Sequence, residues 1–393
     1  MLELEKVNVK VTENLVEAVK HSDWDGLLLF GFDNVQYASG AFLPFLAYRK
    51  DMRTAVFFGK GCEPVYICPA ELASSVKKLG RIHTIHTYVN GGSCSGNFLA
   101  AVKEVAGGCK KVAIDKERAS HKLCTDLAEA LPSVKFESAD KCLADMRRIK
   151  CESEVEILSD IAYVADHGIN GVLHHTMGNS PRSMLGQAEE VRVHEMERGL
   201  YSGYNSVAHV YGHEVNTTPY PKCKAYGFNY GFSPVEQLSA YDICKSRYDG
   251  VNDGYWSNCC RLYHYKNATE EQTKAYGQWF EMRNYMLSII KPGVKCCEVF
   301  EKTQAYAKDH GIKLDPRILL GHAVGVTPVE GPFFEAEDAT EIAADMILVV
   351  SPAVMMGDQS IQSNDTIHVT KDGNVVLNWW KDWREPYTGI TEL

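Results

Sequence analysis

"LLGHAVGVTPVEGP", Leu319 to Pro332, sets one histidine between two glycines and then runs through small and apolar residues to a proline. A Gly-His-x-x-Gly turn suits a metal ligand, an acid/base histidine or a packed bend, so the elements around His322 decide its meaning. Downstream, Met346 to Ala353 and Thr366 to Thr370 read as strands; upstream, so do Asp242 to Arg247 and Gly254 to Tyr263. Helical spacing recurs at Arg182 to Glu197, Glu270 to Ile290 and Val294 to His310. Strand pairs interleaved with long helices predict an α+β domain whose sheet forms a concave platform.

Nearer the N-terminus the pattern changes. A helix at Glu13 to Lys20 leads to a buried strand, Asp25 to Phe32, that enters a turn at Asp33-Asn34. Strands follow at Arg53 to Phe58 and Pro64 to Ile67, then a helix at Ser95 to Ala106, a strand at Lys111 to Ile114 and a helix at Ser120 to Ala130. Such alternation predicts an α/β layer. Beyond Asp145 a basic cluster and a capping box, Ser153 with Glu156, open a long helix. The domain boundary is therefore expected there, giving an α/β domain over 1–145 and an α+β domain over 146–393.

With 393 residues, of which 45% are apolar, the chain can bury two cores. A formal charge of -10 argues against a nucleic-acid groove, which needs clustered cations to neutralise phosphates. The thirteen cysteines are odd in number and irregularly spaced, and Cys259-Cys260 and Cys296-Cys297 are adjacent pairs. That usage fits reduced, mostly buried thiols. No stretch approaches the ~20 apolar residues of a membrane span, and the N-terminus lacks a signal-peptide core. The expectation is a soluble, cytoplasmic protein with no membrane or nucleic-acid partner. The aromatic tail "NWWKDWREPY" from Asn378 fits packing on the body or a subunit, or a wall around a small ligand.

Six stretches in order carry a resemblance: "DNVQYASGAF" from Asp33, "RRIKCESEVEILSDIAYVADHG" from Arg147, "DGYWSNCCRLY" from Asp253, "IIKPGVKCCEVFE" from Ile289, "LLGHAVG" from Leu319 and "NDTIHVTKDG" from Asn364. Together they resemble the creatinase/aminopeptidase P family, the pita-bread proteins. The resemblance implies a creatinase N-terminal-like α/β domain, a pita-bread α+β domain and a homodimer. Metal-dependent members hold two divalent ions with two Asp, one His and two Glu. Matched position by position from Gly254-Tyr255, those ligands fall on Arg247, Asn258, His322, Ser351 and Asn364. A substrate-binding His of the family falls on Asn229, and Cys260 stands where creatinase has a substrate-binding Glu. One ligand of five remains, and an arginine stands where a dication would sit. Without its carboxylates a dinuclear centre has nothing to offset its charge, so no metal cofactor is expected.

The same positions suit other chemistry. Arg247 matches a substrate carboxylate through its guanidinium fork, with a salt bridge to Asp249 as the structural alternative. Asn258, Ser351, Asn364 and Asn229 offer neutral donors and acceptors for a nitrogen compound, or satisfy one another. Imidazole is the side chain that ordinarily titrates near neutrality, which makes His322 the acid/base candidate. His209 and His213 are candidates to assist, and the resemblance implies that Arg49 and Arg53 of one subunit reach the other's cavity. The expected function is metal-independent, creatinase-like or ectoine-hydrolase-like cleavage of a C–N bond in a small carboxylate-bearing compound. A non-catalytic pita-bread binding protein is the competing reading, and a metal-dependent prolidase or aminopeptidase a third.

Overall fold

The computed structural model describes residues 9–49, 51–91, 94–174, 213–214, 243–248, 251–264, 268–357 and 359–378. The expected helix over 182–197, His209, Asn229, Asp249 and the aromatic tail after Asn378 lie outside them. The chain divides into two compact units, one containing residues up to Arg147 with Cys151–Glu154, the other containing Arg148–Lys150 and most of the chain from Val155 onward.

In the first unit helix α1 (Val9–His21) precedes strand β1 (Gly26–Leu29) and helix α2 (Phe32–Ser39). Next come β2 (Ala55–Gly59), β3 (Val65–Pro69), α3 (Ala73–Leu79), β4 (Thr84–Tyr88), α4 (Cys94–Ala106), β5 (Lys111–Ile114), α5 (His121–Ala130), β6 (Lys135–Ser138) and α6 (Asp140–Arg148). The strands form one mixed sheet in the order β4-β3-β2-β1-β5-β6. Leu28, Phe57, Ile67, Val112 and Ile114 pack under Phe98, Val102 and Leu127 of α4 and α5. Each such side chain contributes roughly 1.5–3 kcal/mol by leaving water.

The expected turn at Asp33-Asn34 is instead the first turn of α2, which ends at Gly40 with φ 70. Asp33 favours a helix N-terminus, and both Arg118 and Arg147 pair with its carboxylate, at 3.0 and 2.9 Å. Asp115 sits behind it, fully buried, and accepts from the backbone N–H groups of Phe30 and Gly31 and from Asn34 Nδ2. Burial pushes the Asp115 carboxyl up to about 6 despite those bonds.

In the second unit the long α7 (Glu152–His174) comes first. Its capping bond is made by the backbone N–H of Cys151 to Glu154 Oε2, two residues before the expected Ser153–Glu156 box. Strands β7 (His213–Glu214), β8 (Ile243–Tyr248), β9 (Val251–Asn252), β10 (Tyr255–Trp256) and β11 (Cys259–His264) lead to helices α8 (Glu270–Ile289) and α9 (Cys296–Asp309). Strands β12 (Gly321–Ala323), β13 (Glu330–Phe333), β14 (Ile347–Val350), β15 (Ala353–Met356), β16 (Gln359–Gln362), β17 (Asp365–Val369) and β18 (Asn374–Val376) complete it. One sheet runs β13-β12-β14-β17-β18 and another β11-β8-β7.

Two strands expected to be continuous are broken. Gly254 to Tyr263 divides into β10 and β11, and Met346 to Ala353 stops at Ser351-Pro352, where proline cannot donate to a ladder. Thr269 starts α8 with a full capping box to Gln272. Met286, Val299, Leu348, Ile367 and Phe334 fill one core under the helices, and Trp279, Met282, Val354 and Ile361 fill another.

No described helix is long and apolar enough to cross a membrane. The described cysteines are free thiols, and burial pushes those of Cys68 and Cys296 up to about 12, which removes them as nucleophiles near neutrality.

Candidate functional site

His322 lies in the middle of β12, opposite Val349 of β14. Both glycines of its motif are packing requirements. A Cβ on Gly321 would overlap the Val349 carbonyl and the Phe334 ring, and one on Gly325 would overlap the Glu330 carboxylate. Val349 in turn pairs with Thr366 of β17. Alternation along the strands then assigns Ser351 and Asn364, two residues beyond each partner, to the sheet face of His322.

Asn258 arrives from a different element. The β9-β10 hairpin turns through Asp253 (φ 46) and Gly254 (φ 81), and Trp256 N–H donates to the Gly325 carbonyl at 2.7 Å. That bond ties the hairpin to the loop after His322 and delivers Asn258 beside the imidazole.

Asn258, His322 and Asn364 are 1%, 6% and 4% exposed, so their polar atoms must find partners inside the protein. They find one another. Cys260 N–H donates to Asn364 Oδ1 at 2.6 Å, and Asn364 Nδ2 donates to Asn258 Oδ1 at 2.7 Å. Asn258 Nδ2 faces His322 Nε2 at 3.4 Å and donates to the Pro328 carbonyl at 3.1 Å. On its other side His322 Nδ1 lies 2.8 Å from the Ala323 carbonyl. A carbonyl can only accept and an amide NH2 can only donate, so the neutral imidazole carries its proton on Nδ1.

Charge stands immediately behind this neutral chain. Asp365, fully buried, accepts from Arg283 Nε at 2.6 Å and Arg261 Nη2 at 3.3 Å. Arg261 Nη1 also donates to the carbonyls of Cys260, at 3.0 Å, and of Asn364. A second buried ion pair, Lys150 with Glu330 at 3.0 Å, braces the loop that follows His322. These ionic residues had no signature in the sequence beyond being charges within apolar strands or beside a basic cluster.

Other expected site residues take varied places. Ser351 does not join the amides; its Oγ donates to the Leu319 carbonyl at 3.0 Å. Cys260 contributes its backbone N–H, while its thiol lies 3.7 Å from the Gln362 carbonyl. Arg247 is registered opposite Cys260, and His213 opposite Ser246, which pairs with Arg261. In the first unit Arg49 holds Asp51 in a two-bond pair at 2.9 and 2.7 Å, and Arg53 lies over the Phe98 ring at 6.0 Å.

The residues gathered around His322 do not fit a dinuclear divalent centre. Asn258 aims a donor at Nε2, the atom a cation would need, and among the described residues the chain Cys260–Asn364–Asn258–His322 contains no carboxylate. Among the described residues no group of three or more His, Cys, Asp or Glu could hold a metal ion.

Comparison with known proteins agrees with the fold. The profile of metallopeptidase family M24 matches residues 186–371, and that of the creatinase/prolidase N-terminal domain matches 12–149. YkvY of Bacillus subtilis, whose name assigns it provisionally to the dipeptidases, is 23% identical over 347 residues, covering 88% of this chain and 91% of its own. A creatinase from Bacillus sp. is 20% identical over 66% of this chain and 62% of its own. The crystal structure of prolidase from Pyrococcus horikoshii superposes with a TM-score of 0.73 at 19% identity, covering 94% of this chain and 97% of that one.

Proposed function

This chain belongs to the creatinase/aminopeptidase P family, with a creatinase-type N-terminal domain and an M24 pita-bread domain, and on that premise we propose that it is a metal-independent C–N hydrolase. Its substrate would be a small nitrogen compound bearing a carboxylate. The observation that carries the reading is that His322 Nε2 faces the Asn258 amide where a metal site needs carboxylates.

In the proposed reaction His322 Nε2 takes a proton from water as the water oxygen bonds to the carbon of the C–N bond. The imidazolium returns that proton to the nitrogen as the C–N bond breaks, so the histidine ends neutral. Asn258 can yield Nε2 to the water because its amide keeps the Pro328 carbonyl. Arg247, in register with Cys260 at the head of the amide chain, is the proposed carboxylate partner.

The working unit is proposed to be a cytoplasmic homodimer. Arg49 and Arg53 are its proposed contribution to a neighbouring subunit, on the family resemblance alone.

Hydrolysis of small amides, guanidines and betaine-like compounds by the purified chain, with elemental analysis of the same sample, tests the reading. His322→Ala is expected to lower the rate by roughly 10²–10⁴ with the fold intact. Stoichiometric Mn, Fe, Co or Zn needed for the rate would sink metal independence. The competing reading, a binding protein without catalysis, draws support from the mutual satisfaction of the buried amides. Substrate-sized ligands that bind and are never turned over would favour it.

A further inference from the structure

We infer that Asn364 and Asn258 are positioning residues that fix the proton of His322 through a one-way chain of amide hydrogen bonds. The inference deepens the proposed role of His322 and rests on that role for its catalytic meaning; the direction of the chain rests on geometry alone.

The direction is set at both ends by backbone groups that have no choice. Cys260 N–H can only donate, so the Asn364 atom 2.6 Å from it is Oδ1, and Nδ2 points onward. Asn258 must meet that donor with Oδ1 at 2.7 Å, which turns its own Nδ2 toward His322 Nε2 and the Pro328 carbonyl. Reversing Asn364 would set two donors against each other at its Cys260 contact, and reversing Asn258 would set two carbonyls together at Pro328. The Ala323 carbonyl imposes the same proton position from the far side of the ring. The links among the described residues therefore agree on Nδ1–H and an unprotonated Nε2.

The head of the chain is also held firmly. The Cys260 carbonyl receives Asn364 N–H at 3.2 Å, Ser363 Oγ at 2.7 Å and Arg261 Nη1 at 3.0 Å. Cys260 and Asn364 thus meet in a fixed frame, and the polarity chosen there is passed through two side chains to the imidazole.

A substitution that never touches His322 should then move its proton. Asn364→Asp replaces the onward donor with a second acceptor. A new carboxylate at 364 outweighs the neutral Pro328 carbonyl as an acceptor, so Asn258 gives up its Pro328 bond and turns its NH2 toward the carboxylate, its carbonyl faces Nε2, and Nε2 gains a proton. A residue that merely filled space would leave the imidazole unchanged.

The test is a long-range proton–nitrogen correlation spectrum of the full-length chain with ¹⁵N-labelled histidine at neutral pH, His322 being assigned by its loss in His322→Gln. The wild type is expected to show Nδ1 in the protonated range and Nε2 in the unprotonated range. In Asn364→Asp the Nε2 resonance is expected to shift to the protonated range, with circular dichroism unchanged. A wild-type proton on Nε2, or a folded Asn364→Asp with Nε2 unmoved, overturns the inference. Asn258→Asp carries the same expectation if Asn364→Asp does not fold, and the wild-type spectrum alone is able to refute the chain. None of these readouts needs turnover, so the expected spectra from a chain that hydrolyses nothing would sink the proposed function and leave the relay standing.

Discussion

Consecutive residues on two strands separate two kinds of buried polarity. Cys260 and Asn364 belong to a chain of neutral groups that ends at His322, while Arg261 and Asp365, the next residue on each strand, meet Arg283 in an ionic triad. Both clusters are almost wholly buried, and they share the carbonyls of Cys260 and Asn364 through Arg261. The difference is one of task. Ions confined behind the sheet lock β11, β17 and α8 together, whereas the chain from Cys260 through Asn364 and Asn258 to His322 carries no carboxylate, lysine or arginine among the described residues. Protonation there is governed by which end of an amide points where.

Asp365→Asn leaves Arg261 and Arg283 buried without their carboxylate. A loss of about 3–5 kcal/mol is expected in urea unfolding, as for other buried pairs deprived of one partner. A loss below about 1 kcal/mol would show that the triad does not hold the strands.

Asp115 is a buried acid of a third kind, bonded to N–H groups of Phe30, Gly31 and Asn34. Its folded-state value, about 6, exceeds the ordinary 3.8, so the native state binds the proton more tightly than the unfolded chain does. Its contribution to stability is therefore fullest below about pH 4 and is lost as pH rises through about 6, by at most about 3 kcal/mol. Calorimetry between those values should show that fall, and Asp115→Asn should abolish it; a slope identical in both proteins would contradict the assignment.

Asn364→Leu is the mildest break. It removes one amide and leaves Cys260 N–H and Asn258 Oδ1 without their partner, at an expected cost of about 1–3 kcal/mol by the same unfolding measurement. A cost equal to that of Asp365→Asn would erase the distinction between the neutral and ionic sides.

Much of the fold was legible in the sequence because its signals are local. The Gly254-Tyr255 pair, the Gly-His-x-x-Gly motif and the helical spacing over Glu270–Ile289 depend on near neighbours. Asn258, His322 and Asn364 also stood out as positions, and the structure brings these three together. Their polarity was not legible, because it is imposed by backbone groups far away in the chain, at Cys260 and Pro328. The triad escaped for a related reason: Arg261 sits in a strand whose alternation alone cannot say whether a charge meets water or Asp365. The start of α7 was misplaced by two residues since cysteine, unlike serine, is not a usual capping residue, yet Cys151 supplies the N–H that Glu154 accepts.

The asparagine chain makes the proton position on His322 depend on two intact side-chain amides. A side-chain amide can be lost to water over time, and deamidation of Asn364 would install the very carboxylate that Asn364→Asp supplies by mutation. Tight bonding between β11 and β17 restrains the local backbone motion that this ageing requires. Were either asparagine hydrolysed, the proton of His322 would be expected to move with it, a change in chemistry that leaves the outline of the domain as it was.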